Sequence, residues 1–194
     1  MRIGIFGGSF NPAHMGHYEI IEAILSLKKV DKLIVVPNYV NPLKSDQPVL
    51  PETLRWEILT KTLTSINYVS VSDFEINQKK PSYTIDTLVH FNRCFPNDTL
   101  FLILGEDAFS LFPNWKQPTR ITELAKILVL PRPDQIANVA ESLYQKYRAE
   151  KLDLTIRDIS ATSIRNASKE QVIVQNLLHK DVLALWETYQ SNNP

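Results

Sequence analysis

The chain has 194 residues, enough for one well-buried core and short for two, so the simplest expectation is a single domain over residues 1–194. Its 21 basic and 21 acidic side chains cancel, which argues against attachment to nucleic acid or to an anionic membrane through overall charge. The one cysteine, Cys94, excludes an intrachain disulfide. Since the sequence also has no signal-peptide layout and no apolar run of membrane-spanning length, we expect a cytoplasmic protein.

Short runs rich in isoleucine, valine and leucine alternate with helical patterns along the chain. The predicted strands are Arg2–Phe6, Lys32–Pro37, Tyr68–Val71, Thr99–Leu104, Lys126–Leu130 and Asp153–Ile156. The predicted helices are Met15–Leu27, Pro51–Thr64, Thr84–Cys94, Asp107–Leu111, Asp134–Glu150, Ser163–Ser168 and His179–Tyr189. Apolar strands between helices indicate a sheet covered on both faces. The expected fold is therefore α/β, one doubly wound Rossmann-like domain with a mostly parallel sheet and a helical C-terminal part from about residue 160.

The segment from Gly7 to His17 reads GGSFNPAHMGH and directly follows the first predicted strand. Its two glycines allow a sharp turn that brings backbone N–H groups close to an anion. His14 and His17 lie three positions apart, so both imidazoles share one face of the helix predicted from Met15. A helix N-terminus favours negative charge, and two imidazoles there can donate to phosphate oxygens that gain charge in a reaction. The segment therefore predicts a site for nucleotide phosphate chemistry.

A second anion site is predicted near the other end of the chain, where residues 159–165 read ISATSIR. Ser160 or Thr162 can cap a helix and donate a hydroxyl, and Arg165 then lies one turn into that helix. A guanidinium beside capped N–H groups suits a polyphosphate. By itself this segment could be an ordinary capped helix. Together with the paired histidines, it indicates a nucleoside triphosphate that is held from both ends.

These two motifs resemble the signatures of the nucleotidyltransferase superfamily, an H-x-G-H motif on the first helix and a late S-x-T-x-I-R type motif. Within it, the chain most resembles the bacterial nicotinate-nucleotide adenylyltransferases. The stretch PSYTIDTL from Pro81 to Leu88 is similar to that family's S-Y-T-x-D-T-L block. GEDA at 105–108, FPNW at 112–115 and LPRP at 130–133 follow in family order, and the matches extend to about Ala167.

The resemblance implies a role for each matching residue. The catalytic residues would be His14 and His17 at the reacting phosphates and Arg165 at the departing pyrophosphate. ATP would be bound by Gly8, Ser9, Phe10, Lys44, Ser160 and Thr162. The mononucleotide would be bound by Tyr83, Thr84, Thr87, Gly105, Asp107, Trp115 and Arg132. In this scheme Gly105 and Asp107 contact the ribose, and Trp115 stacks on the pyridine ring.

The implied reaction is adenylyl transfer from ATP to nicotinate mononucleotide, which gives deamido-NAD and pyrophosphate in NAD biosynthesis. A 5′-phosphate oxygen of the mononucleotide attacks the α-phosphorus of ATP. Because a phosphate is already an adequate nucleophile, positioning and charge stabilisation would supply most of the catalysis. Mg²⁺ would be bound through the ATP phosphates and would keep several waters, so it would need no dedicated protein ligands.

Several alternatives stay open at this point. Lys116 follows Trp115 where the family commonly has an aromatic residue, so nicotinamide mononucleotide is an alternative substrate. A phosphopantetheine adenylyltransferase or a cytidylyltransferase is also an alternative, although the block Ser82–Leu88 and Trp115 argue against both. A nucleotide-binding sensor without turnover is a third alternative, and neutral charge disfavours a nucleic-acid-binding module. The apolar side chains of the terminal helix predict either burial in the chain or a contact in a homo-oligomer.

Overall fold

The computed structural model describes residues 1–42, 49–131, 139–155, 157, 159–167 and 177–192. The strands within these ranges are β1 Arg2–Gly8, β2 Lys32–Pro37, β3 Val69–Val71, β4 Thr99–Gly105, β5 Ala125–Leu130 and β6 Glu150–Lys151. They form one sheet in the order β3-β2-β1-β4-β5-β6, and all of the pairs are parallel. The strand order reverses between β1 and β4, which is the doubly wound arrangement. The predicted Rossmann-like fold class is confirmed.

Helices cover both faces of this sheet. They are α1 Met15–Ser26, α2 Glu52–Leu63, α3 Phe74–Gln78, α4 Thr84–Cys94, α5 Glu106–Ser110, α6 Pro118–Leu124, α7 Glu141–Tyr147, α8 Ala161–Asn166 and α9 Leu183–Asn192. Side chains of alternate strand residues divide the core, since Leu33 and Val35 of β2 pack in one cluster and Ile34 and Val36 in the other. The first cluster also holds buried residues of α1, α2, α8 and α9, and the second those of α4 to α7.

The sixth strand lies earlier in the chain than predicted. The sequence pattern places it at Asp153–Ile156, whereas the structure has Glu150–Lys151, and residues 153–155 are not in a strand. Glu150 pairs with Leu128 of β5, and the N–H of Leu152 donates to the carbonyl of Val129 at 2.8 Å. An edge strand takes its register from the strand beside it. The last positions of β5 are therefore paired before residue 153 is reached.

The helix predicted at Asp134–Glu150 is shorter in the structure, where α7 ends at Tyr147; residues 134–138 lie outside the described part of the chain. Arg148 follows with a φ of 50°, a left-handed conformation that stops a helix. Helices α3 and α6 were not predicted. Both are short, and α6 follows a second left-handed residue, Gln117 with a φ of 54°.

The terminal helix α9 packs on its own chain. Trp186 is 2% exposed and lies in the same cluster as Ile58 and Leu59 of α2. Leu183, Leu185 and Tyr189 pack against that cluster, so the structure gives the apolar face of α9 an intrachain partner. Among the described residues, the helices are too short or too polar to cross a bilayer.

Candidate active site

The first predicted motif runs from the end of β1 into α1. Gly7 and Gly8 are still in the strand and neither has a positive φ, so the prediction of a sharp turn at the glycines is wrong, and the turn lies after them, at Phe10. His14 is the residue before the helix, with an extended backbone, and its carbonyl accepts the N–H of His17 at 2.9 Å. The N–H of His14 in return donates to Nδ1 of His17 at 3.2 Å. The two ring centroids are 3.8 Å apart. The structure thus brings the two imidazoles together as the spacing predicts.

The contact to Nδ1 also fixes the chemistry of the His17 ring. A neutral imidazole has one acceptor nitrogen and one N–H donor. Because Nδ1 of His17 accepts from the backbone of His14, the proton of the neutral ring is assigned to Nε2. His17 can therefore donate a hydrogen bond from Nε2 without being charged.

Phe10 takes an unusual backbone conformation in the same turn. Its φ is 44°, in the left-handed region, which costs energy for a residue with a side chain. The ring is buried, with its centroid 5.0 Å from that of His17. A Cβ on Gly8 would lie 3.1 Å from this ring, so only glycine fits there without a shift of Phe10. The turn is shaped by close packing around the Phe10 ring.

The late motif forms the start of α8. The hydroxyl of Ser160 accepts the N–H of Thr162 at 3.2 Å and caps the helix, which begins at Ala161 rather than at the predicted Ser163. One arm of Arg165, Nη2, donates to Oγ1 of Thr162 at 3.1 Å. Ser160, Thr162 and Arg165 therefore lie together on the first turn of α8.

The two motifs are in direct contact. Nη1 of Arg165 donates to the carbonyl of Asn11 at 2.6 Å, a bond between residues 154 positions apart. A Cβ on Gly16 would lie 3.2 Å from Cβ of Ile159 and 3.1 Å from Nδ1 of His14. The paired histidines and the arginine therefore belong to one site, which lies at the carboxyl end of β1 where the strand order reverses.

Four of the predicted mononucleotide residues lie at the starts of α4 and α5. Tyr83 precedes α4 and Thr84 is its first residue, whereas Gly105 precedes α5 and Asp107 lies in the first turn of that helix. The hydroxyl of Ser82 accepts the N–H of Tyr39 at 3.0 Å, so the start of α4 is bonded to the chain just after β2. These residues therefore lie at the carboxyl end of the sheet, where the histidine turn also lies.

Thr87 differs from the other predicted mononucleotide residues because its side chain faces the protein. It is 2% exposed, and its hydroxyl donates to Oε1 of Glu75 at 2.5 Å. Burial raises the pKa of Glu75 above its usual range, and hydrogen bonds from Thr87 and Ser82 oppose that rise. The structure thus adds Glu75, which the sequence analysis missed, behind the segment that contains Tyr83.

Trp115 is half-buried, and its ring lies 5.3 Å from that of Phe112. Lys116 extends back over Tyr83, with Nζ 4.5 Å from the ring centroid and 3.6 Å from Oδ1 of Asp86. Lys116, next in sequence to the residue predicted to stack on the pyridine ring, thus lies against Tyr83, another predicted mononucleotide residue. The other two predicted positions, Lys44 and Arg132, lie outside the described residues.

The sequence analysis also missed two buried charged side chains at this end of the sheet. Glu106 is 5% exposed and accepts from Nζ of Lys151 at 2.6 Å and from the hydroxyl of Tyr144 at 3.2 Å. Burial, with the charge of Glu106, raises the pKa of Tyr144. Arg55 is 1% exposed and donates to backbone carbonyls. The sequence could have indicated this burial, because Arg55 lies on the apolar face of α2, where charged residues are rare.

Comparison with known proteins gives the family. Residues 5–167 match the Cytidylyltransferase-like family. A probable nicotinate-nucleotide adenylyltransferase of Cytophaga hutchinsonii is 35% identical over 99% of this chain and 100% of its own length. One of Flavobacterium johnsoniae is 33% identical, over 100% and 98%. The solved structure of Plasmodium falciparum nicotinic acid mononucleotide adenylyltransferase complexed with NaAD has the same fold, with a TM-score of 0.82 and 19% identity, over 97% of this chain and 96% of that one. The chain therefore belongs to the nicotinate-nucleotide adenylyltransferase family of the cytidylyltransferase-like proteins.

Proposed function

We propose that the protein transfers the adenylyl group of ATP to nicotinate mononucleotide, which gives deamido-NAD and pyrophosphate. The single observation that carries this proposal is the 2.6 Å bond from Arg165 to the carbonyl of Asn11. It joins the two halves of the site, so one triphosphate can contact the histidine turn and the start of α8 together. The family membership and the names of its relatives support the same reaction.

The reaction needs no side-chain nucleophile. A 5′-phosphate oxygen of nicotinate mononucleotide forms the new bond to the α-phosphorus of ATP while the bond to the β-phosphate oxygen breaks, and pyrophosphate leaves with the electron pair. We assign His14 and His17 to the oxygens of the α-phosphoryl group. Nε2 of His17 can donate in the neutral ring, so it can stabilise the developing charge near neutral pH. Most of the rate would come from this stabilisation and from alignment.

The leaving pyrophosphate would be held by the first turn of α8. Arg165 is held by two hydrogen bonds to the protein, and the rest of its fork of donors can face phosphate oxygens. Ser160 and Thr162 would add hydroxyl contacts. The backbone N–H groups of the turn at Gly8, Ser9 and Phe10 would bind the same triphosphate, and Lys44 stays a prediction for the joined phosphates.

The mononucleotide would bind along the starts of α4 and α5. Gly105 and Asp107 are proposed for the ribose and Trp115 for the pyridine ring, and Tyr83 and Thr84 are proposed as further residues of the mononucleotide pocket. Thr87 would act through Glu75 rather than by contact with the mononucleotide, because its hydroxyl is already donated to that carboxylate. Arg132 remains a predicted binding residue.

Mg²⁺ is proposed as part of the substrate, the MgATP complex. Among the described residues there is no cluster of three or more histidine, cysteine or acidic side chains arranged to hold a metal. Mg²⁺ commonly retains waters and binds through substrate phosphates, and its chemistry here would be to neutralise phosphate charge. The substrates belong to the cytoplasm, which we propose as the location.

Release of pyrophosphate tests this proposal. Wild-type protein with MgATP should release it rapidly with nicotinate mononucleotide, more slowly with nicotinamide mononucleotide, and not with phosphopantetheine, and mass spectrometry should identify deamido-NAD. Arg165→Ala should lower turnover sharply, whereas Arg120→Ala, a change at an exposed arginine of α6 that pairs with Glu123 of the same helix, serves as the matched control and should not. Release with CTP in place of ATP would favour a cytidylyltransferase. MgATP binding without release for any pyridine mononucleotide would favour the sensor.

A further inference from the structure

An arginine occupies the buried face of α2. Residues 55, 58, 59 and 62 lie on one side of this helix at the spacing of an apolar stripe, and all are buried. Three of them pack in the core or bond within the helix, but Arg55 is a charged group that is 1% exposed. Burying a guanidinium is costly unless its donors are satisfied. Its partners therefore indicate what the residue is for.

Those partners are four backbone carbonyls from three segments of the chain. Nε donates to Leu50 at 3.1 Å, Nη1 to Ser9 and Asn38 at 2.8 Å each, and Nη2 to Tyr39 at 3.1 Å. Ser9 belongs to the histidine turn, Asn38 and Tyr39 follow β2, and Leu50 precedes α2. The planar fork of an arginine can reach all four, whereas the single ammonium of a lysine has only three donors on one atom.

The same turn is bonded to these segments a second time. The N–H of Asn38 donates to the carbonyl of Gly8 at 2.9 Å, and its side-chain amide donates to the hydroxyl of Ser9 at 3.2 Å. The carbonyl of Gly8 therefore points toward the end of β2, and that of Ser9 toward Arg55 of α2. In a trans peptide the N–H points opposite to the carbonyl of the same unit. Fixing these two carbonyls accordingly turns the N–H of Ser9 away from the end of β2 and the N–H of Phe10 away from Arg55.

We infer that Arg55 is a positioning residue for the triphosphate. It holds the carbonyl of Ser9 so that the N–H of Phe10 is aimed at the ATP phosphates, and it makes no contact with substrate itself. The left-handed backbone of Phe10, with a φ of 44°, is strained and needs such an external support. This inference rests on the proposed function, because it takes the histidine turn to be the phosphate-binding turn.

Binding of MgATP to Arg55 variants tests the inference. Arg55→Lys keeps the charge and part of the donors, and Arg55→Met keeps most of the volume and none of the donors. Ile58→Ala is the matched control, since Ile58 is fully buried on the same face of α2 and its side chain packs in the apolar core. Calorimetry should give a Kd for MgATP that rises by about tenfold in Arg55→Lys and about a hundredfold in Arg55→Met, the range for one lost charge-assisted bond. Ile58→Ala should bind MgATP within about threefold of wild type although it is less stable.

A spectroscopic readout separates positioning from a general loss of stability. Labelling with ¹⁵N-phenylalanine gives eight backbone amide signals, of which that of Phe10 is assigned by its loss in Phe10→Leu. We expect MgATP to shift the Phe10 signal in wild type and in Ile58→Ala, and to shift it less in Arg55→Lys. If Arg55→Met does not fold, the comparison of Arg55→Lys with Ile58→Ala still decides. Equal affinity and equal Phe10 shifts in these two variants would overturn the inference, whereas failure of wild type to bind MgATP would overturn the proposed function.

Discussion

Replacing His17 by asparagine or by glutamine separates two roles of its ring. Nδ1 accepts the N–H of His14 at 3.2 Å and so fixes the first turn of α1, whereas Nε2 lies on the opposite edge of the ring. An asparagine amide extends about as far as Nδ1, and a glutamine amide about as far as Nε2. Asparagine therefore keeps the acceptor for His14 and removes the outer donor, and glutamine does the reverse.

The two roles have different magnitudes. Loss of a helix-capping acceptor costs about 0.5–2 kcal/mol of stability. Loss of one donor to a charge-developing oxygen lowers turnover by about two to three orders of magnitude, or about 2.7–4 kcal/mol of activation free energy. We therefore expect the free energy of unfolding of His17→Asn to lie within about 0.5 kcal/mol of the wild-type value, and its turnover to fall by about two to three orders of magnitude. His17→Gln should lose about 1 kcal/mol of stability and retain more turnover than His17→Asn.

The measurements are pyrophosphate release at saturating MgATP and nicotinate mononucleotide, and urea unfolding of each variant. His17→Ala, which lacks both groups, should show both losses, and His90→Asn controls for replacing a histidine elsewhere. The reasoning is refuted if His17→Asn turns over close to wild type. It is equally refuted if turnover in the three variants simply follows their stability, because one structural role would then explain all the data.

Two further predictions concern contacts at the edge of the site. Gly16→Ala gains about 0.5–1 kcal/mol of helix propensity, but the new Cβ pushes against Ile159 and the His14 ring. We expect turnover to fall by about tenfold to a hundredfold, with little loss of stability in urea unfolding. Wild-type turnover would contradict this prediction. Burial raises the pKa of Glu75 above its ordinary value of 4.5, so the stabilisation that this group contributes is fully present below pH 4.5 and is lost as the pH rises through the raised pKa. Glu75→Gln, which can still accept from Thr87, should flatten this part of the stability profile measured between about pH 4 and pH 8; an unchanged profile would show that the Glu75 carboxyl does not titrate differently on folding.

The sequence predicts best those elements whose bounds follow from the apolar pattern of their own residues. Strand β2 and helix α4 have their predicted bounds, because five consecutive buried residues define the strand and an apolar stripe defines the helix. The edge strand β6 was predicted too late because its position depends on pairing with β5. Helices α3 and α6 are too short to stand out as periodic patterns, and tertiary packing decides such cases.

The residues of the candidate site also fall into those that a local motif predicts and those whose role depends on distant partners. Local motifs predict the histidine turn and the capped start of α8, and the structure brings them together. Arg55 and Glu75 have partners that lie distant in the sequence, such as the carbonyl of Ser9 and the hydroxyl of Thr87, so no spacing rule links them. The sequence does show that Arg55 occupies an apolar position of a helix, and a charged residue there needs hydrogen-bond partners. In this protein those partners include the carbonyl of Ser9, in the candidate site.

The contact between the histidine turn and the start of α8 also bears on how the site would work. Two of the bonds that Arg165 makes are to Asn11 and Thr162, so the protein itself positions this side chain. Ordering a free arginine on a ligand costs up to about 2 kcal/mol of rotamer entropy, and bonds within the protein lower that cost. Arg55 applies the same principle to the backbone by holding the carbonyl of Ser9. A reaction that depends on alignment rather than on a chemical base benefits most from groups that the protein holds in place, and these two arginines hold two carbonyls of one turn, those of Ser9 and Asn11.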